Sequence, residues 1–374
     1  MRRVTFVNRY FHPDHSATSQ IASDLAFHLA ARGWEVAAIT SRQRYDDARA
    51  GLRSDTANGV RIVRVWSTRF GRAGLIGRAI DYLTFYLSAF FAMRRERGIV
   101  VAMTDPPLLS VVAALASRRV VNWVQDLFPE VASALGIRAP RVLRVLRDWS
   151  LRRARANVVL GDRMAARVPK ATVIHNWAMV EDRQSCLSGQ AGLPVLHPFT
   201  VGYSGNLGRA HDVDTILAAI RGLPHIRFVF TGGGAQLEAI RRAGAANVEI
   251  LPYAPRERLS ESLSAADVHL VSLQPALEGL IVPSKFYGVL AVARPVLFIG
   301  ARDGELARLI DAHRCGVVVE SGDGDALVRA IEWLAADRAE AKAMGARGRE
   351  LYLARFAPAH AFAAWERVLE EAAR

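Results

Sequence analysis

Short apolar runs alternate with longer stretches whose apolar residues recur at helical spacing. In the first half, Arg3–Asn8 reads as a buried strand, and Glu35–Thr40, Val60–Val65, Ile99–Met103, Val120–Val124, Asn157–Leu160 and Thr172–His175 read as further strands. Ser19–Arg32, Leu75–Arg95, Leu108–Ala116 and Pro140–Arg153 read as helices between them, with Gly33 stopping the first. Strand and helix in alternation predict a parallel sheet covered on both faces. Glu181 to Pro198 carries Ser, Gly, Gln and Pro without periodicity and reads as a linker. The alternation then restarts with strands at Phe199–Ser204, Ile226–Thr231, Val248–Leu251, Asp267–Leu273, Pro295–Ile299 and Gly316–Glu320. Helices Ala326–Ala336, Arg338–Ala354 and Pro358–Ala373 close the chain. The expected fold class is α/β, with two doubly wound, Rossmann-like domains facing across a cleft. Their expected bounds are 1–182 and 199–357, with a linker at 183–198 and a terminal helix at 358–374.

Composition agrees with this division. A chain of 374 residues is long for one core, and a hydrophobic share of 51% with 23% charged residues describes a folded protein. No signal peptide is expected after Met1-Arg2-Arg3. No uninterrupted apolar span reaches the roughly 18 residues of a membrane helix; Ile99 to Ala116 comes nearest and is broken by Asp105-Pro106-Pro107. Cys186 and Cys315 suggest neither a disulfide framework nor a metal site, so a reducing cytoplasm is the expected location. The formal charge is +13, from 49 basic and 36 acidic residues. Only Lys170, Lys285 and Lys342 are lysines, which makes Lys285 conspicuous. The arginine bias needs no nucleic acid to explain it, and no nucleic-acid module is present.

The richest segment is Glu278-Gly279-Leu280-Ile281-Val282-Pro283-Ser284-Lys285-Phe286-Tyr287-Gly288. It joins a strand to a helix through a glycine turn, a proline and a Ser-Lys pair. Backbone N–H groups at a helix start, together with the Lys285 charge, suit an anion. Glu278 is placed to accept hydrogen bonds from hydroxyl groups. Phosphate donors beside a hydroxyl acceptor suit a sugar nucleotide. Three more loops at carboxyl ends of strands carry related chemistry: Gly202-Tyr203-Ser204-Gly205-Asn206-Leu207-Gly208-Arg209, Thr231-Gly232-Gly233-Gly234 and Leu251-Pro252-Tyr253. Each alone is as well explained by a tight turn or by core packing; the four together favour a site. No dinucleotide or ATP-binding glycine fingerprint is present.

In the first half, His12-Pro13-Asp14-His15-Ser16-Ala17-Thr18-Ser19 and Trp123-Val124-Gln125-Asp126-Leu127-Phe128-Pro129-Glu130 each follow a strand. His15, Ser16, Asp126 and Glu130 are candidates for holding acceptor hydroxyls, with Asp126 also placed for proton transfer; helix caps and a solvated carboxylate are the competing explanation. Asp212-Val213-Asp214 opens a helix, where capping explains it better than metal binding, and no metal is expected. Two segments suggest a membrane surface. One carries Tyr82, Phe85, Tyr86, Phe90 and Phe91 before Arg94, Arg95 and Arg97. The other is the arginine-rich stretch Arg138–Arg155 around Val142, Leu143, Val145, Leu146 and Trp149. Ordinary core helices with charged outer faces are the alternative.

These motifs resemble the retaining glycosyltransferases of family 4 with the GT-B fold, and within them a bacterial surface-polysaccharide branch that includes N-acetyl-L-fucosamine transferases. The resemblance runs over nearly the whole chain, through Tyr10-Phe11-His12-Pro13, Gln125–Glu130, Tyr203–Arg209 and Glu278–Gly288. It implies an N-terminal acceptor domain, a C-terminal donor domain and a terminal helix crossing back to the first domain. Transfer would run from a nucleotide-sugar donor, UDP-linked and carrying an N-acetylated hexosamine, to a lipid-linked saccharide, without a cofactor. It also implies a peripheral location on the inner face of the cell membrane. The implied donor contacts are Gly205, Asn206, Arg209, Gly232, Gly233, Tyr253, Glu278, Gly279, Leu280, Ser284 and Lys285, with Glu278, Asp126 and Lys285 at the chemistry. The chain departs from the family where an Arg follows the glycine and a Lys lies five residues on: Asn206 and His211 stand there, and Lys285 and Arg209 are the replacement charges. Phe286 stands where the family's second glutamate holds the ribose. Two other functions fit the same architecture: a sugar-nucleotide 2-epimerase, which needs more carboxylates around the sugar, and a non-catalytic sugar-nucleotide-binding subunit.

Overall fold

The structure is a computed structural model that describes residues 2–71, 74–180 and 198–374. All of the linker expected at 183–198 except Pro198 lies outside them. The chain divides into two compact units, one of Met1–His175 with Ala359–Arg374 and one of Asn176–Pro358.

The first unit is built on β1 (Arg3–Val7), β2 (Glu35–Ser41), β3 (Asp55–Ala57), β4 (Val60–Val65), β5 (Ile99–Ala102), β6 (Val120–Trp123), β7 (Ala156–Val159) and β8 (Ala171–Val173). They form one sheet in the order β3-β4-β2-β1-β5-β6-β7-β8. Every pairing is parallel except β3 with β4. That hairpin turns on Asn58-Gly59 with φ of 47° and 78°. Asn-Gly supplies two left-handed residues in succession, the strongest short hairpin signal, which the strand-helix reading passed over. The helices are α1 (Ala17–Ala31), α2 (Leu75–Met93), α3 (Leu109–Ala116), α4 (Glu130–Ala134), α5 (Arg141–Arg153) and α6 (Asp162–Ala165). Phe85, Ala89 and Met93 of α2 and Leu109 and Ala113 of α3 close the core over Val7, Ile39 and Val100.

The second unit holds β9 (Thr200–Asn206), α7 (Val213–Gly222), β10 (Arg227–Gly233), α8 (Leu237–Arg242), β11 (Val248–Leu251), α9 (Leu259–Ser264), β12 (Val268–Ser272), α10 (Lys285–Ala291), β13 (Val296–Ile299), α11 (Glu305–His313), β14 (Gly316–Val319), α12 (Gly324–Ala336) and α13 (Arg338–Leu351). Its sheet runs β11-β10-β9-β12-β13-β14, parallel throughout. Strands covered on both faces carry continuous apolar runs, as Val296–Ile299 does, with all four residues buried. Asp212 caps α7: its Oδ1 accepts from Thr215 N at 3.0 Å and its Oδ2 from Thr215 Oγ1 at 2.7 Å.

The last helix, α14 (Pro358–Ala373), lies in the first unit apart from its opening proline. Trp365 packs on Trp123 at the end of β6 with ring centroids 4.6 Å apart. Phe362 stacks on His28 at 4.4 Å, and Glu366 Oε1 lies 2.7 Å from His28 Nε2. An amphipathic helix needs an apolar face to cover, and this one covers α1 and β6.

Candidate active site

Because the second sheet is parallel, the carboxyl ends of β9, β10 and β12 share one edge, and their loops start together. Pairing of β9 with β10 runs on through Gly205↔Gly232 and Asn206↔Gly233. A side chain would not fit there. A Cβ on Gly232 would lie 2.3 Å from the Gly205 carbonyl oxygen, at a φ of +135°. Leu207 N donates to Gly233 O at 2.7 Å and Gln236 N to Leu207 O at 2.9 Å, which laces the two glycine loops into one edge. The Tyr253 ring lies against Gly233, at 3.2 Å from where a Cβ would stand, and stays exposed.

Lys285, at the start of α10, reaches over this edge. Its Cε would be 3.0 Å from a Cβ on Gly205, so the glycine makes room for the stem. The ammonium stands 5.2 Å above the Tyr203 ring and 3.5 Å from His211 Nε2. His211 is buried, with Nδ1 at 2.7 Å from the Ser272 carbonyl oxygen. A carbonyl only accepts, so Nδ1 carries the proton and Nε2 offers its lone pair to Lys285. Burial and the Lys285 charge push His211 down to about 4, against the opposing backbone groups of Ser272 and Asn206. His211 is therefore neutral at physiological pH. Desolvation alone pushes the Lys285 ammonium down to about 8, leaving it charged near neutrality and ready to gain from an anion. Tyr203 OH donates to Asn206 O at 2.8 Å and fixes the end of β9 beneath it. Lys285 thus stands beside the two positions, 206 and 211, where the family's cations are missing. His211, Tyr203 and Ser272 complete this cradle and were not among the expected site residues. Their signal in the sequence is weak, since Ser272 and His211 meet only through the register of β12.

The other donor candidates are distributed differently. Glu278 Oε1 accepts from Glu305 N at 2.7 Å, at the first turn of α11, and a Cβ on Gly304 would touch its other oxygen. A carboxylate on a helix start is favoured by the dipole. Glu278, expected to accept hydrogen bonds from hydroxyl groups, thus also holds the first turn of α11. Leu280 is buried and its amide already donates to Leu277 O at 3.0 Å, so it is not poised for a phosphate. Gly279 takes a φ of +73° in the turn. Ser284 occupies the N-cap of α10 without a side-chain capping bond. Arg209 is exposed on its loop. Phe286 is fully buried against Phe356 and Tyr287, which rules out a polar contact at that position.

In the first unit, the loops after β1 and β6 carry the acceptor candidates. Ser16 sits at the N-cap of α1, its amide donating to Asp14 Oδ1 at 2.8 Å, while Asp14 Oδ2 accepts from Tyr45 N at 2.6 Å. His15 sets its ring edge toward Tyr45 and its Nδ1 4.0 Å from Asp46. Asp126 is open to solvent on one side, yet desolvation by the surrounding loops and then Asp105 push its carboxyl up to about 6. Such a carboxylate is basic enough to take up a proton near neutral pH. Glu130 differs from expectation: its Oε1 receives Arg147 at 2.7 Å and Arg144 at 3.0 Å, which ties α4 to α5. Among the described residues no group of three or more His, Cys, Asp or Glu side chains is placed to hold a metal ion.

Two family models match the chain in succession. Residues 17–177 match the glycosyl transferase 4-like domain and residues 198–337 match the glycosyl transferases group 1 domain. The chain is 29% identical to the probable glycosyltransferase WbjE of Pseudomonas aeruginosa over 285 residues, 68% of this chain and 71% of that protein. It is 23% identical to the putative colanic acid biosynthesis glycosyl transferase WcaI of Escherichia coli (strain K12) over 363 residues, 86% of this chain and 89% of that one. Among solved structures, Anabaena Alr3699/HepE in complex with UDP-glucose superposes with a TM-score of 0.69 at 15% identity, covering 99% of this chain and 100% of its own.

Proposed function

This chain belongs to the GT-B glycosyltransferases, and from that premise we propose that it moves an N-acetylated hexosamine from a UDP-linked donor to a lipid-linked saccharide in surface polysaccharide assembly, with retention at the sugar carbon. The names of its relatives support the polysaccharide setting, since WcaI is named for colanic acid biosynthesis. HepE, solved with UDP-glucose, supports the nucleotide. The observation that carries the proposal is the Lys285 ammonium above Gly205 and beside neutral His211.

In this reading the donor diphosphate lies along the glycine edge, and Lys285 neutralises the charge that grows as the sugar–phosphate bond breaks. The acceptor oxygen bonds to the same sugar carbon from the leaving-group side. Its proton passes to the departing diphosphate oxygen, with Asp126 orienting the acceptor hydroxyl. Glu278, which also accepts from the Glu305 amide, serves the sugar hydroxyls. The ribose is held by groups other than residue 286. Tyr253, exposed beside Gly233, is the proposed platform for the base.

Titration calorimetry with UDP, GDP and dTDP sugars, followed by transfer assays on extracted lipid-linked saccharides, tests the proposal. UDP-specific binding with transfer supports it. Isomerised sugar nucleotide formed without acceptor would instead support the epimerase, and UDP binding without transfer to any lipid fraction the non-catalytic subunit.

A further inference from the structure

The loop that follows β4 is held by buried polar groups, yet it displays two aromatic rings to solvent. Arg9 and Asp81 are 3% and 0% exposed, with the guanidinium 3.4 Å from the carboxylate. Arg9 Nη2 also donates to Gln43 Oε1 at 2.8 Å, and Gln43 Nε2 donates in turn to Ser67 Oγ at 3.1 Å and Thr68 O at 2.6 Å. Asp81 Oδ1 accepts from Thr68 Oγ1 at 2.6 Å and Phe70 N at 3.0 Å, while Oδ2 accepts from Gly71 N at 3.0 Å. Buried charges are costly unless their partners are in place, and here the partners are the loop itself. Trp66 is nevertheless 54% exposed and Phe70 63%. A loop that only joins β4 to α2 needs neither the anchor nor the rings, since turn residues with polar side chains suffice. A ring kept in water on a stiff support has already lost the freedom that binding would take from it, which favours a ligand.

Position selects the ligand. Because β4 runs parallel to β2 and β2 to β1, this loop opens on the same sheet edge as the loops that carry the acceptor candidates. Arg64, two residues before Trp66, is buried and donates to the Ser41 and His12 carbonyl oxygens, which ties the end of β4 to the loop after β1. In the order β4-β2-β1-β5-β6, the loop with His15 and Ser16 lies two strand spacings from that of Trp66, about 10 Å, and the loop with Asp126 lies four, about 19 Å. One sugar ring at Asp126 cannot reach Trp66, whereas a short oligosaccharide laid along the edge can. A sugar ring has an apolar C–H face and a polar rim. The C–H face stacks on the electron-rich face of an indole, and Arg42 and Arg69, exposed on the loops after β2 and β4, supply donors for the rim.

We propose that Trp66 and Phe70 form a second acceptor subsite, which stacks a sugar remote from the one that reacts, so that the enzyme selects an oligosaccharide acceptor by its length. The proposal rests on the reading that this chain transfers to a saccharide, and it adds to that reading the part of the acceptor that is recognised.

The test measures transfer from the UDP-linked donor to lipid-linked saccharides extracted from cells and separated by length. For the wild type, kcat/KM is expected to rise between single-sugar acceptors and those of three or more sugars. Trp66→Ala is expected to lower kcat/KM at least tenfold on the longer acceptors and to leave it within twofold on single-sugar ones. Trp66→Phe should keep most of the wild-type preference, Phe70→Ala should lose part of it, and Trp333→Ala, on the second unit, should change nothing. All these variants should keep wild-type melting and UDP binding, because the substituted rings face water. The emission lost in Trp66→Phe should shift to the blue in the wild type when saccharides released from the lipid by mild acid are added. Wild-type turnover that ignores acceptor length, or Trp66→Ala turnover that matches wild type on the longer acceptors, overturns the proposal. So does a blue shift with phosphatidylcholine–phosphatidylglycerol vesicles but not with the released saccharides, because the ring then serves lipid. Transfer that proceeds without regard to Trp66 removes only the subsite, whereas wild-type enzyme that transfers to none of the acceptors removes the transfer reading and the subsite with it.

Discussion

Replacing Lys285 by methionine removes one charge and keeps the stem that lies over Gly205. A hydrogen bond to a charged group contributes about 1.5–3 kcal/mol, so at about 1.4 kcal/mol per decade kcat/KM falls roughly 10- to 150-fold. Stability moves the other way. The ammonium is pushed from 10.5 down to about 8 by desolvation, so the folded protein holds this charge at a cost. At about 1.36 kcal/mol per unit the upper bound is ~3 kcal/mol at neutral pH, and partial solvent access reduces it. The sign is fixed by linkage. Between pH 8 and 10.5 the unfolded chain binds the extra proton, so the contribution of Lys285 to stability rises with pH there. Activity in the same window falls, because the neutral amine no longer serves the diphosphate. The assay is UDP release over a pH series with melting followed in parallel. For the wild type, kcat/KM should decline above pH of about 8 while this group's stability contribution rises. Lys285→Met should melt no lower than wild type and lose the alkaline decline along with most of its activity. Turnover within threefold of wild type, or a variant that melts well below it, would refute the placement of this charge.

Four further outcomes are expected. His211→Leu removes the lone pair that receives the ammonium, so the alkaline limb of kcat/KM should move below that of the wild type, and His211→Gln should restore part of it; identical limbs would exclude the positioning role. His211 and His269 are both held neutral, pushed down to about 4 chiefly by burial, so the stability they contribute above 6.5 should be lost as pH falls from 6.5 toward 4, seen as a steepening drop in melting temperature. Asp126→Asn should cut transfer at least tenfold while leaving melting at pH 7 equal or higher, because the raised carboxyl carries an ionisation cost there; wild-type transfer would remove it from the acceptor side. Glu130→Ala should lower stability by about 1–3 kcal/mol, chiefly by taking from the largely buried Arg147 one of its two carboxylates, yet leave turnover of folded enzyme within threefold; a large loss of turnover would return Glu130 to acceptor binding.

How far the sequence could be read depended on how local the signal was. Val248–Leu251 and Pro358–Ala373 were legible to the residue, because each has a period and clear breakers at its ends. The glycine loops were legible as close approaches, but that Gly232 faces Gly205 required the register of β10 on β9. Glu278 was found, whereas its bond to Glu305 was not, since the two are 27 positions apart and joined only by the turn into α11. On α2 the aromatic positions were legible, but not which of them meets the sheet: Phe85 is core and Phe91 exposed.

By itself the sequence determined two parallel α/β units, the loops that carry chemistry, and the cation and carboxylates available to them. These follow from short-range rules: period, turn residues and strand ends. Only the tertiary structure decided which groups meet. It set Lys285 beside His211, gave Glu130 to Arg144 and Arg147, put Phe286 in the core, and turned Leu83, Leu87 and Phe91 outward. Each of those outcomes depends on strand register and helix rotation, which are fixed by packing summed over the whole unit and leave no mark in any one segment.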